Sequence, residues 1–232
     1  SVDYRVFAFW RGLQGKGTPV EWQLSPTSAV AICGFPRSGN SFLRSILNRH
    51  LHRWSSIYSH GHNPLDIAAL ERRRVPVIVP IREPVPTLSS YLTFVSGTCQ
   101  QKSVAAHIRS YTAFYSFMRR TLHSPYVLVS PFRKTTQDPS SILQWSRIRH
   151  LVVDEKTGVD SEAERQILED AADFPRTRRQ PGEEVNRRPV PTAEREFKLL
   201  EAANLLGEPR YRDLLHAAQF AYDRVSGSLS DK

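Results

Sequence analysis

Two glycines, an arginine, an asparagine and two serines are packed into Gly34-Phe35-Pro36-Arg37-Ser38-Gly39-Asn40-Ser41-Phe42. Glycines at such spacing let backbone N–H groups approach phosphate oxygens at a helix N-terminus, so the segment reads as an anion cradle. The outline Gly34-x4-Gly39 is that of a nucleoside-triphosphate loop, but Asn40 stands where that loop carries lysine. The nearest cation is Arg37, inside the loop. No later strand ends in an obvious aspartate to hold magnesium, so a metal-free phosphorylated ligand fits better than a metal–triphosphate. By spacing alone the segment also fits a plain strand-to-helix turn.

A second constellation is Arg82-Glu83-Pro84-Val85-Pro86-Thr87-Leu88-Ser89-Ser90-Tyr91. An arginine at a strand end and a hydroxyl two helical turns later can converge on one phosphate from two sides. A third is Tyr58-Ser59-His60-Gly61-His62-Asn63-Pro64, expected as a loop between the phosphate-loop helix and the strand leading to Arg82, whose histidines could act as a general base near neutral pH. By residue type alone His60 and His62 are both candidates. A His-x-His pair also suggests a metal, but with no cysteine or carboxylate cluster nearby none is expected.

Together these segments resemble the PAPS-dependent sulfotransferases. The family's 5′-phosphosulfate loop, Pro-Lys-Ser-Gly-Thr-Thr-Trp, aligns without a gap on Pro36-Arg37-Ser38-Gly39-Asn40-Ser41-Phe42. The resemblance implies that Arg37 takes the place of the lysine on the bridging oxygen and 5′-phosphate. It implies loop contacts from Ser38, Gly39, Asn40 and Ser41, with Phe42 replacing an adenine-stacking tryptophan. Arg82 and Ser90 match its 3′-phosphate clamp. His60 lies 22 residues before Arg82, as the catalytic histidine does in the cytosolic branch, so the resemblance makes His60 the base, with His62 the alternative. Tyr58 replaces that motif's lysine. Phe132 falls where the family has a tyrosine near the adenine, although core packing also accounts for a lone aromatic at a strand end. Arg178, Arg179, Arg187 and Arg188 crowd the region of the family's closing loop over the 3′-phosphate, where a solvated basic loop is the ordinary reading.

The elements that must position these residues follow from periodicity. Residues 1–28 have no sustained period and read as an irregular lead-in. Ala29–Cys33 is a short apolar run followed by the glycine turn and the helical spacing of Phe42–Leu47. Val75–Ile81 reads as a buried strand whose prolines place it at a sheet edge or in an irregular ladder. Val104 to Leu122 is helical and Tyr126–Val129 a strand, and the resemblance implies a short helix after Asp138-Pro139. Arg72-Arg73-Arg74 reads as a solvated helix end. A basic lid-like loop over about 174–191 leads to closing helices near 192–205 and 209–225. Strands alternating with helices predict an α/β fold with a parallel sheet flanked by helices. The resemblance narrows this to a P-loop-like three-layer sandwich of the sulfotransferase type.

At 232 residues, 40% hydrophobic, the chain is expected to form one domain. Thirty-two basic against 23 acidic residues, a net charge of +9, favour an anionic partner. Two cysteines make no disulfide framework, and a reducing, cytoplasmic compartment is expected. No apolar run is long enough for a membrane helix, while Ser1 in place of Met leaves an excised anchor open. The expected activity is sulfuryl transfer from PAPS to an acceptor hydroxyl or amine, releasing PAP. Nucleic acid is not the expected partner. Trp54, Tyr58 and Tyr91 are expected near the acceptor opening. A P-loop phosphotransferase and a non-catalytic nucleotide, RNA or glycan binder are the alternatives.

Overall fold

The computed structural model describes residues 28–50, 56–59, 62–95, 101–148 and 193–229. The expected lead-in through residue 27, and the lid-like loop, lie outside them. Three short apolar runs and the segment Ser-Ile-Tyr-Ser form four strands: β1 Ser28–Ile32, β2 Ser56–Ser59, β3 Val77–Ile81 and β4 Val127–Pro131. All pairings are parallel, in the order β2-β1-β3-β4. The helices are α1 Asn40–His50, α2 Pro64–Arg72, α3 Pro84–Val95, α4 Gln101–Met118, α5 Phe132–Gln137, α6 Ser140–Ile148, α7 Ala193–Leu206 and α8 Arg212–Gly227. A short 3-10 turn, Pro209–Tyr211, joins the last two.

Because side chains alternate across a strand, both sheet faces are buried. Val30, Ile32 and Ile78 pack with Leu43 and Leu47 of α1 and Ile142 of α6. Ala31, Cys33, Val77, Val79, Val127 and Val129 face the other way, onto α2, α3, α4, α7 and α8. Each fully buried leucine or isoleucine contributes about 1.5–3 kcal/mol. The fold is thus α/β, a parallel sheet between helices.

Two sequence expectations need correction. β3 is an interior strand, not an edge, despite Pro76 and Pro80. Pro76 precedes the strand and accepts a hydrogen bond from Ala31 N–H through its carbonyl (2.8 Å). The next rung toward β1 is Cys33 N–H to the Ile78 carbonyl (3.1 Å). Two residues on, Pro80 lies past the last β1 pair, Ile32↔Ile78, where its missing N–H breaks no existing rung. Tyr58 and Ser59, expected in a loop, belong to β2. Parallel pairing with β1, at Ala31↔Tyr58 and Ile32↔Ser59, overrides the weak local pattern of Ser-Ile-Tyr-Ser.

The helices nearest the site have local causes. α2 is capped by Asn63, whose Oδ1 accepts from Leu65 N–H at 3.1 Å, with Pro64 in the first turn. It ends in the basic run as expected, with Arg74 in the left-handed region at φ 58°. α3 opens with Pro84 and Pro86 in its first turn, where absent N–H groups leave no bond unmade.

Candidate functional site

The chain passes from β1 outward to β2 and then back across to β3, so β1 and β3 are the neighbours at which the winding direction reverses. In open parallel sheets the loops leaving the strands diverge there and form a crevice. The loop after β1 carries Arg37 and the residue following β3 is Arg82.

The first loop is held from within. A Cβ on Gly34 would lie 2.6 Å from both Asn40 Oδ1 and Ser38 Oγ and 2.8 Å from the Pro80 carbonyl, so only glycine fits. Asn40 folds back over the turn: Gly34 N–H donates to its Oδ1 (2.9 Å), and its Nδ2 donates to the carbonyls of Phe35 (2.9 Å) and Gly34 (3.3 Å). Ser38 Oγ donates to the Phe35 carbonyl at 2.6 Å. Neither side chain points away from the loop as a phosphate contact would. His62 Nδ1 lies 2.8 Å from the Gly34 carbonyl, which requires the proton on that nitrogen. Phe35 anchors the turn among Tyr91, Tyr111 and Phe114.

Past this anchor the backbone turns sharply. Arg37 has φ 69° and Gly39 φ 103°. For arginine the left-handed conformation costs about 1–2 kcal/mol, borne here by the bracing around it. The Gly39 carbonyl accepts from Leu43 N–H (3.0 Å), starting α1. The first-turn N–H groups of that helix have no intrahelical acceptor, and no acidic residue lies in that turn. Ser41 is exposed there, and Pro36 is half-buried. Phe42 is only 9% exposed and packs against Ile46 and Leu143, so its ring lies in the interior and not on an open stacking surface.

The two loops meet through arginines. Arg37 Nε donates to Ser90 Oγ at 3.0 Å and its guanidinium lies 5.3 Å from the Phe94 ring centre. Arg82 Nη1 donates to the Arg37 carbonyl at 3.3 Å, and its guanidinium lies over Phe132 at 4.1 Å. Phe132 also borders Gly39, 3.3 Å from where a Cβ would sit. Arg37, Arg82, Ser90 and Phe132 therefore share one site. Within it Ser90 is bonded to Arg37, although the sequence pairs it with Arg82.

A third cation is Arg195, in the first turn of α7 and 7% exposed. Sequence reasoning missed it. Its signal was position: Arg195, Leu199, Ala202 and Leu206 follow helical spacing, so the arginine occupies a place in the apolar stripe. Burial, then repulsion from Arg195 and Arg82, brings the Arg37 pKa down to about 10. Arg82 is lowered by burial and then by Arg195, and Arg195 by burial. All three stay charged at neutral pH. Among the described residues, neither Arg37 nor Arg82 forms an ion pair with a carboxylate. Clustered, partly desolvated guanidiniums of one sign are stabilised by an anion, and their forked N–H groups suit phosphate or sulfate oxygens.

His60, Arg178, Arg179, Arg187 and Arg188 lie outside the described residues. No helix among the described residues is long and apolar enough to cross a membrane. Comparisons of the chain with protein-family models, curated proteins and solved structures find no match.

Proposed function

We propose that this chain is a PAPS-dependent sulfotransferase with a P-loop-like three-layer fold. The observation that carries the reading is the convergence of Arg37, Arg82 and Ser90 at the reversal point of the sheet, with Arg195 adding charge and, among the described residues, no carboxylate paired with Arg37 or Arg82. Asn40, folded into the loop where a triphosphate site needs lysine, supports a donor other than magnesium–ATP.

In this reading Arg37 and the first-turn N–H groups of α1 hold the 5′-phosphosulfate. Arg82 and Ser90 hold the 3′-phosphate, Phe132 borders the nucleotide, and Arg178, Arg179, Arg187 and Arg188 belong to a covering loop. The acceptor oxygen attacks sulfur in line, its S–O bond forming as the S–O bond to PAP breaks. The acceptor proton passes to His60. Arg37 stabilises the charge that develops on the departing phosphate. His62, with Nδ1–H directed to the Gly34 carbonyl, serves as a brace of the loop. Arginine in place of lysine grips two oxygens but is a poorer proton donor, so departure of PAP depends on charge stabilisation more than on protonation.

The test compares PAP with magnesium–ATP by thermal shift and follows PAP release from PAPS across alcohol, phenol, sugar and amine acceptors. PAP at a hundred times its Kd adds about 2.7 kcal/mol, or roughly 5–10 °C for a chain of this size. Magnesium–ATP is expected to add less than a third of that. Equal stabilisation by both would favour a phosphotransferase, and PAP binding without sulfate transfer to any acceptor would favour a binding module.

A further inference from the structure

Arg82 is the first residue beyond β3, whose last pair with β4 is Ile81↔Pro131. Its peptide groups leave the ladder at that point, inside the protein, and need other partners. Two tyrosines one helical turn apart on α4 supply them. Arg82 N–H donates to Tyr115 Oη at 3.0 Å, and the Arg82 carbonyl accepts from Tyr111 Oη at 2.6 Å and Tyr115 Oη at 3.1 Å.

Both tyrosines are fully buried. Their rings stack at 4.3 Å and 25°, and Phe35, Phe114 and Tyr222 pack around them. Phenylalanine would fill nearly the same volume without a hydroxyl to satisfy, and both hydroxyls are spent on the backbone N–H and C=O of one residue. Burial raises both phenols far above the ordinary tyrosine range, so their protons stay in place at physiological pH.

We infer that Tyr111 and Tyr115 are positioning residues that fix the backbone of Arg82 and so aim its guanidinium into the anion site. The inference rests on the anion-site reading of Arg82. With the peptides on either side of its Cα held, the side chain leaves β3 in one direction, over Phe132 and toward the Arg37 carbonyl. Less freedom is then lost when an anion binds.

A double-mutant cycle tests it, with PAP affinity measured by calorimetry on the whole chain at concentrations that keep the Arg82→Ala variant measurable. Tyr115→Phe leaves the Arg82 N–H without its partner and is expected to weaken PAP about five- to tenfold. In the Arg82→Ala background the same change should alter affinity less than about twofold, because the group being aimed is gone. A purely structural role gives the same factor in both backgrounds, and that result, or no loss in the single variant, overturns the inference. If Tyr115→Phe fails to fold, Tyr111→Phe carries the test; it keeps the Arg82 N–H satisfied and should weaken PAP about threefold, again only when Arg82 is present. Failure of the site reading looks different: wild-type protein does not bind PAP, or Arg82→Ala binds it as well as wild type, and the positioning inference then falls with it.

Discussion

Replacing Asn40 with alanine removes the amide that closes the turn after β1. Three hydrogen bonds are lost, but their consequences differ. The Phe35 carbonyl keeps Ser38 N–H and Oγ, and the Gly34 carbonyl keeps His62. Gly34 N–H, buried, loses its one partner among the described residues. That orphaned donor sets a loss of about 1–3 kcal/mol, or a melting temperature lower by roughly 2–12 °C in a chain of this length. Asn40→Asp separates the bonds further. It keeps an acceptor for Gly34 N–H but turns an oxygen toward the carbonyls that Nδ2 now meets at 2.9 and 3.3 Å. The N-terminal end of α1 favours a carboxylate by about 0.3–1 kcal/mol, less than two lost donor bonds, so aspartate should be less stable than wild type at neutral pH. A protonated aspartate recovers one donor, which raises its folded pKa above the unfolded value of about 3.9. The native state then holds the extra proton, and the deficit grows as pH rises from about 4. Urea unfolding of the three proteins at pH 4.5 and 7.5 measures this. An Asn40→Ala variant within about 0.5 kcal/mol of wild type, a change typical of an unconstrained surface site, would refute the bracing role.

The remaining predictions use the same assays. Gly34→Ala should lose about 2–4 kcal/mol because its methyl meets the Pro80 carbonyl at 2.8 Å, whereas Gly227→Ala, with open space around it, should change stability by less than about 1 kcal/mol. Arg37→Gly relieves left-handed strain and like-charge repulsion but loses the bond to Ser90, so it should melt within about 4 °C of wild type while PAP affinity falls at least about tenfold. Burial lowers the His62 pKa below its ordinary 6.5. The unfolded chain therefore binds more protons between the folded pKa and 6.5, and stability should fall as pH drops through that window. His62→Gln should make that fall shallower, read as urea midpoints from pH 7.5 to 5.5.

The α/β class and the strand–loop–helix around Gly34 were legible because continuous apolar runs, glycine turns and helical spacing act locally. β2 was not, since a four-residue strand owes its conformation to pairing with β1. The interior place of β3 was hidden by two prolines whose harmlessness depends on where β1 ends. At the site, residue types and spacing pointed to Arg37, Arg82 and Ser90, which the fold brings together, but could not say that Ser90 would bond Arg37. Asn40 and Ser38 read as ligand contacts because a one-dimensional motif does not reveal a side chain folded back on its own turn. Arg195 and the two tyrosines that hold Arg82 come from distant helices, and only tertiary packing places them at the site.

The register of the sheet has a mechanical consequence. β3 shares five paired positions with β4, whereas only Ala31↔Val77 and Ile32↔Ile78 join it to β1. The line between β1 and β3 is therefore the least-stitched seam of the sheet, and Arg37 and Arg82 stand on opposite sides of its open end. An anion held by both arginines acts as a clasp across that seam. Ligand should then slow amide exchange at Ala31 and Cys33 more than along the β3–β4 ladder, so occupancy would be readable in the backbone of the sheet itself.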